Sequence, residues 1–331
     1  LNKTLVKFIL IYTALLGALA LFLPSVFSTM LATIVIVVLL EPFSIFISRT
    51  FRISRRFSNA IALAVFFLSF ALLLVFLIPS LMKEAANFYE MAAKFFEERK
   101  WEKILPPDVG MRITQLVSAF QPRLLKLLAY VISTTTKFAP QLFTFMFYVV
   151  LGSIYLIYYF QFIKRRIPRI FPKSCRREAT FFLRDVYIQL RQYIFAIVIV
   201  AVMVGISMGI LLTYLGSKYT VLLSFWAVFT NFIPIVGVFL EMVPLFLMTF
   251  SLGLKASIIL AIGVVIIHTV AFLLFLKLME GYIKINPVAI IFLIMFFSST
   301  LGVLGALIAV PTGVVFKIFW IKFLTPALDS K

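Results

Sequence analysis

The sequence has one cysteine and one histidine in 331 residues, and only 12 acids. A single Cys175 excludes an internal disulfide and every cysteine-rich metal site. One His268 beside one cysteine leaves zinc-type chemistry without ligands. No Ser/His/Asp arrangement can be built around a histidine that sits within an apolar run. No GxxxxGK(S/T) loop is present, so the chain shows no means of its own to hydrolyse a nucleotide. No enzyme activity, metal or organic cofactor is therefore expected. Polar surface is scarce as well. The chain is 63% hydrophobic and carries 39 Phe, too apolar for a soluble domain of this length to cover itself. That composition defines an all-α polytopic membrane protein, in which helices satisfy the backbone groups that lipid cannot.

What is abundant is positive charge, 31 bases for a net +19. The bases lie between the apolar runs rather than among aromatics in a polar context. They read as topology signals and contacts with anionic lipid, and nucleic acid is not an expected partner. Lys3 and Lys7 precede the run Phe8 to Leu23. No small-residue cleavage site follows, and Pro24 leads into a second run, about Val26 to Ile47, so an uncleaved first span with its N-terminus inside is expected. Glu41-Pro42 lies near the inner end of the second span, where a proline can end or kink the helix. Arg49, Arg52, Arg55 and Arg56 follow without an acid and mark an inside loop. A third span, about Ala60 to Ile78, is expected to stop at Pro79 and to complete a three-span scaffold over 1–79.

From 80 to 137 the character changes. Leu81, Ala85, Phe88, Ala92 and Phe95 recur with helical spacing on one face, Pro106-Pro107 interrupts, and Leu116, Phe120, Leu124, Leu127 and Leu128 form a second amphipathic piece. Nine bases against six acids make this the least biased segment, expected as a small extracytoplasmic helical insert that packs as a cap or, alternatively, serves as a gate or oligomer contact. Residues 138–191 hold a fourth span, about Gln141 to Phe160, and a loop with nine bases against two acids, the strongest cytoplasmic marker in the chain.

A transport region is expected over 192–324, with a cytoplasmic tail at 325–331. It opens with a fifth span, about Tyr193 to Leu215, holding Gly205-x-x-x-Gly209. Two overlong, interrupted runs follow, 220–252 and 287–324, separated by a clean span from about Ala256 to Lys277 that contains His268. A spanning helix needs about 20 apolar residues, so each run is too long for one straight span. The expectation is about six full spans plus two broken or re-entrant helical hairpins, eight apolar segments in all. Paired interrupted segments are the sequence sign of a transporter site. Crossing parity puts the C-terminus inside whether the runs are hairpins or full crossings, and the cell membrane is the expected location.

Within the first run, Thr230 and Asn231 precede the break, where freed carbonyls meet cations or hydroxyls; the structural alternative is a helix cap. Glu241 is an intramembrane carboxylate able to bind a cation or carry a proton; the alternative is an acid at headgroup level, or one paired with Lys255 or Lys277. His268 is a candidate proton relay, against a histidine bonded to a neighbouring helix. Ser298, Ser299 and Thr300 offer hydroxyls to a polar solute or to other helices. Pro234, Gly237, Pro244, Asn286, Pro287, Gly302, Gly305 and Pro311 are read as residues that shape hinges and hairpins.

Several pieces carry a family resemblance: FPKSCRRE before the fifth span, NFIPIVG with a following VP, INP opening the second run, and LGVLGALIAVPTGVVFKI near the end. Through them, and through the basic loop and the insert, the chain resembles the autoinducer-2 exporter family over essentially its whole length. Val238 stands where that family usually has proline, and Glu241 where it often has a small residue. The resemblance implies a homo-oligomer, a pentamer, and two hairpins that hold a small polar solute and move in an elevator-like fashion. It implies a secondary exporter. A sodium/proton antiporter coupled through Glu241 is the alternative within transport, with Na+ or H+ as coupling ion. A non-coupled channel or a membrane scaffold is the alternative from another class.

Overall fold

A computed structural model describes residues 3–98, 121–122, 126, 143–280 and 286–325. Among these the chain is helical and forms no strand, as lipid demands. The helices are α1 (Lys3–Phe22), α2 (Pro24–Thr50), α3 (Arg55–Glu97), α4 (Phe143–Ile170, its last turn 3-10), α5 (Arg176–Tyr214), α6 (Thr220–Thr230), α7 (Val236–Leu252), α8 (Leu254–Leu278) and α9 (Pro287–Phe319). Among the described residues, seven stretches are long and apolar enough to cross a membrane: six belong to α1–α5 and α8, and the seventh, Gly305–Leu324, is the second arm of the second interrupted run. Side chains such as Leu15, Phe76, Val265 and Phe292 remain exposed on these helices, as lipid-facing residues do.

Two helix limits correct the sequence reading, at Pro79 and in the basic stretch, while that at Pro42 agrees with the expected second span. Pro79 does not stop the third span, because α3 runs through it to Glu97. Proline removes one backbone bond, and the residues beyond continue the same helix because their apolar face finds packing: Phe88, Ala92 and Phe95 are buried, with Leu81 and Ala85 half-buried. Pro42 likewise lies inside α2, which continues to Thr50. The basic stretch 161–191 is largely helix, not loop. α5 starts at Arg176, well before Tyr193, burying Ala179 and Phe182 while Arg177 and Arg184 stay exposed. The second amphipathic piece, Leu116 to Leu128, lies outside the described residues.

The chain divides into two compact units. One comprises Leu1–Ser69, Thr144–Ala196 and Lys277–Lys331. Here Leu5 and Ile9 of α1, Phe171 and Cys175, Ala179 and Phe182 of α5, and Val314, Ile318 and Phe323 form one core. Lys322 pairs with Asp185 beside it. The start of α1, the start of α5 and the end of the last helix therefore lie together at one end of this unit. α2 meets α3 through Ser44 and Ser58, and α4 through Gly152, where an added Cβ would meet Thr33 Oγ1 at 2.8 Å.

The other unit comprises Phe70–Phe143 and Ile197–Leu276. Gly205 and Gly209 let two helices approach closely here, admitting Val228 and Ser224 of α6 against the α5 backbone. Glu84, on the amphipathic part of α3, accepts a hydrogen bond from Leu222 N at 2.9 Å in the first turn of α6, and Phe88 packs edge-on against Tyr219. A carboxylate at a helix N-terminus satisfies an unpaired donor and the dipole. Glu84→Ala is expected to cost about 1 kcal/mol and to speed hydrogen exchange in the first turn of α6, while α8 keeps its protection.

Candidate functional site

The sequence TVLLSFWAVFT-NFIPI-VGVFLE explains the break. Pro234 cannot extend α6, and the chain turns over residues 231–235. Ile233 N donates to Thr230 O at 2.9 Å, and Gly237 N donates to Ile233 O at 2.8 Å. Ile235 occupies the left-handed region at φ 68°, which costs a β-branched residue about 1–2 kcal/mol. Gly237 is essential to the reversal, because a Cβ there would land on the Thr230 carbonyl. Trp226 Nε1 donates to Leu240 O at 3.1 Å, tying the two arms. α6, with 11 residues, is only about 16 Å long, about half of a hydrocarbon core of roughly 30 Å. The expected hairpin is thus present in 220–252.

This turn assembles the candidate residues. Asn231 and Glu241, ten residues apart, would be about 15 Å apart along a straight helix. Here Asn231 Nδ2 donates to Glu241 Oε2 at 2.7 Å and to Ala227 O at 2.8 Å. His268 of α8 brings Nε2 to 3.4 Å from the same Oε2, an ion-pair distance without hydrogen-bond alignment. Glu241 is 0% exposed, and its Oε1 has no hydrogen-bond partner among the described residues. Thr230, also buried, gives its hydroxyl to Trp226 O and Ala227 O, so it shapes the turn rather than facing the carboxylate. The charged group that approaches Glu241 among the described residues is His268, not the alternative partners Lys255 or Lys277. A buried carboxylate with one unsatisfied oxygen is costly unless it takes a proton or a cation.

The second run also folds back. Gly302 has φ 61° and ψ −140° inside α9, splitting it into two arms, and a Cβ at Gly305 would strike the Phe297 carbonyl. Residues eight apart meet only if the chain reverses. Asn286 caps the first arm, accepting from Val288 N at 2.9 Å, with Pro287 at the first helical position. Pro244 and Pro311 lie inside continuous helical arms and do not form the turns. Half-buried Ser298 and exposed Ser299 and Thr300 lie just before the turn, each bonded back to a carbonyl of its own helix. They belong to the first unit and Glu241 to the second.

Sequence reasoning overlooked one polar cluster. Glu41, placed near a helix end, is a buried acid whose Oε1 accepts from Gln161 Nε2 at 2.7 Å and lies 3.4 Å from Lys164 Nζ, while the Tyr187 hydroxyl donates to Oε2. The usable signal was an acid embedded in an apolar run opposite the basic stretch that begins at Lys164.

The fold defines the class, an all-α multi-pass membrane protein. The sequence profile of the AI-2E family transporter matches residues 9–324. A protein of Thermotoga maritima named "Putative transport protein" is 36% identical over 308 residues, covering 93% of this chain and 91% of its own length. Another of the same name and organism is 21% identical over 319 residues, covering 96% of each. "Putative transport protein YrrI" of Bacillus subtilis is 30% identical over 180 residues, covering 51% of this chain and 48% of its own length. The chain belongs to the AI-2E transporter family.

Proposed function

We propose that the protein is a secondary transporter that exports a small polar solute across the cell membrane, and that a proton or sodium ion taken up at Glu241 drives it. The carrying observation is the buried Oε1 of Glu241, which has no donor among the described residues, beside Asn231 and His268 at the break of the first hairpin. A single added charge there changes the energy of a desolvated site far more than it would in water. Protonation or cation binding is therefore a natural trigger for a change in the hairpin. The two turns, each pinched by a glycine, support an elevator-like movement of the hairpins, and the homo-oligomer is proposed by family membership. The basic segments gathered at one end of the first unit support cytoplasmic termini. Polar groups concentrated at breaks, not along a whole helix, speak against a channel. Autoinducer-2, a small hydroxylated furanone, is the proposed solute by family membership.

Sodium/proton antiport is the second reading. It is favoured by the same oxygen, since one carboxylate that exchanges a proton for a cation needs no solute. The deciding experiment reconstitutes the protein in liposomes and follows autoinducer-2, sodium and internal pH under imposed gradients. Solute flux that follows an ion gradient supports the first reading. Sodium-for-proton exchange without solute supports the second. Solute flux indifferent to both ions overturns the coupling role of Glu241.

A further inference from the structure

In the first unit, a cavity of about 640 Å³ opens in front of Glu41. Arg55, Arg56, Asn59, Tyr155 and Tyr159 line it with Glu41. The acid does not set its charge. Both Glu41 oxygens are engaged, by Gln161 and Lys164 on one side and Tyr187 on the other, and the Lys164 ammonium is further held over the Tyr187 ring at 3.9 Å. The Asn59 side chain is likewise committed, to Ser44 at 2.5 Å and Ile157 O at 3.4 Å. Arg55 and Arg56, the first residues of α3, are exposed, and no acid pairs with either among the described residues. The wall beside them is aromatic, with Tyr155 and Tyr159 more than half exposed.

Two adjacent guanidinium groups with no carboxylate of their own match the oxygens of a phosphate, which arginine binds through paired donors. An aromatic wall of exposed tyrosines suits the interface of a bilayer, where an apolar ring and a polar tip are both accommodated. We propose that this cavity binds a phosphate-bearing anion, supplied by the headgroup of an anionic phospholipid. Arg55 and Arg56 hold the phosphate, and Tyr155 and Tyr159 flank the glycerol and the start of the acyl chains. The neighbouring bases Arg49 and Arg52, just before the cavity, raise the local concentration of such lipids. A soluble phosphate ester shares the headgroup chemistry but gains nothing from the apolar side of the site.

The test uses the full chain, purified in neutral detergent. Thermal unfolding and native mass spectrometry are followed while phosphatidylglycerol, phosphatidylcholine, glycerol 3-phosphate or inorganic phosphate is added. Phosphatidylglycerol is expected to stabilise the protein and remain bound. The double variant R55Q/R56Q should bind it at least about tenfold more weakly. The double variant R165Q/R177Q, which removes the same charge from exposed positions outside the cavity, should bind it normally. If R55Q/R56Q does not fold, R55K/R56K carries the test: it keeps the charge, loses the paired donors, and should bind several-fold more weakly. Equal binding of phosphatidylcholine, or equal weakening in R165Q/R177Q, would overturn the site in favour of diffuse attraction. Stabilisation by glycerol 3-phosphate or phosphate equal to that by the lipid would keep the phosphate site and overturn the lipid as its source.

Discussion

Replacing Glu241 by glutamine is expected to leave the protein folded and to lower gradient-driven flux by at least tenfold, with the residual flux no longer responding to pH or sodium. Glutamine has the shape of glutamate, and its amide can still meet Asn231, so the hairpin keeps the contact that links its two arms. What disappears is the charge and the ability of Oε1 to accept a proton or a cation. The roughly tenfold threshold corresponds to about 1.4 kcal/mol, small beside the cost of a buried unpaired charge. Asn231→Ala should have an intermediate effect, because it removes the donor on Oε2 and leaves the carboxylate in place. His268→Gln should change the pH response more than the maximal rate, since His268 approaches Oε2 without forming a hydrogen bond. The three residues share one carboxylate, so double variants should be non-additive. Flux in Glu241→Gln liposomes that keeps the wild-type rate and the wild-type gradient dependence would assign the acid to structure alone.

How much of this was legible follows from particular residues. The two hairpins were, because apolar runs of such length with proline and glycine in the middle have few other solutions in lipid. The meeting of Asn231 and Glu241 was not, since it depends on where within NFIPIVG the chain reverses, and the sequence marks the region without fixing the residue. His268 was noticed as a lone histidine, but its place beside Glu241 is a tertiary fact carried by the packing of α8. Pro79 misled for a physical reason: the loss of one backbone bond was weighed, and the packing of Phe88, Ala92 and Phe95 that offsets it was not visible. Glu41 was read as a helix-end residue. Its partners Gln161, Lys164 and Tyr187 come from two other helices, and no local pattern connects them.

The other large effect concerns the glycines that close the hairpins. Gly237→Val and Gly305→Val should each destabilise the protein by about 1–3 kcal/mol or more and abolish transport, seen as a lower unfolding temperature and loss of flux in liposomes. At both positions a Cβ would fall on a main-chain carbonyl, Thr230 O in the first hairpin and Phe297 O in the second. A carbonyl in a helix cannot rotate away without giving up its own hydrogen bond, so relief requires the two arms to separate. Gly205 is the instructive contrast. Its nearest neighbour is the Cγ2 methyl of Val228, the end of a side chain that can repack at smaller cost. Gly205→Ala should therefore lower the unfolding temperature less than Gly237→Ala, although both lie in the same unit. The ordering of these two alanine variants separates the hairpin reading from simple close packing. In a single bent helix residues 230 and 237 would not collide, and Gly237→Ala would be neutral or mildly stabilising. Separation of the arms at Gly237 would also pull Glu241 away from Asn231, so its loss of flux should carry the loss of gradient dependence expected of Glu241→Gln. The equivalent change at Gly305 leaves the Asn231–Glu241 contact within its own unit untouched. A Gly305→Ala protein that transports more slowly yet still responds to the gradient would assign coupling to the first hairpin and movement of the solute to the second.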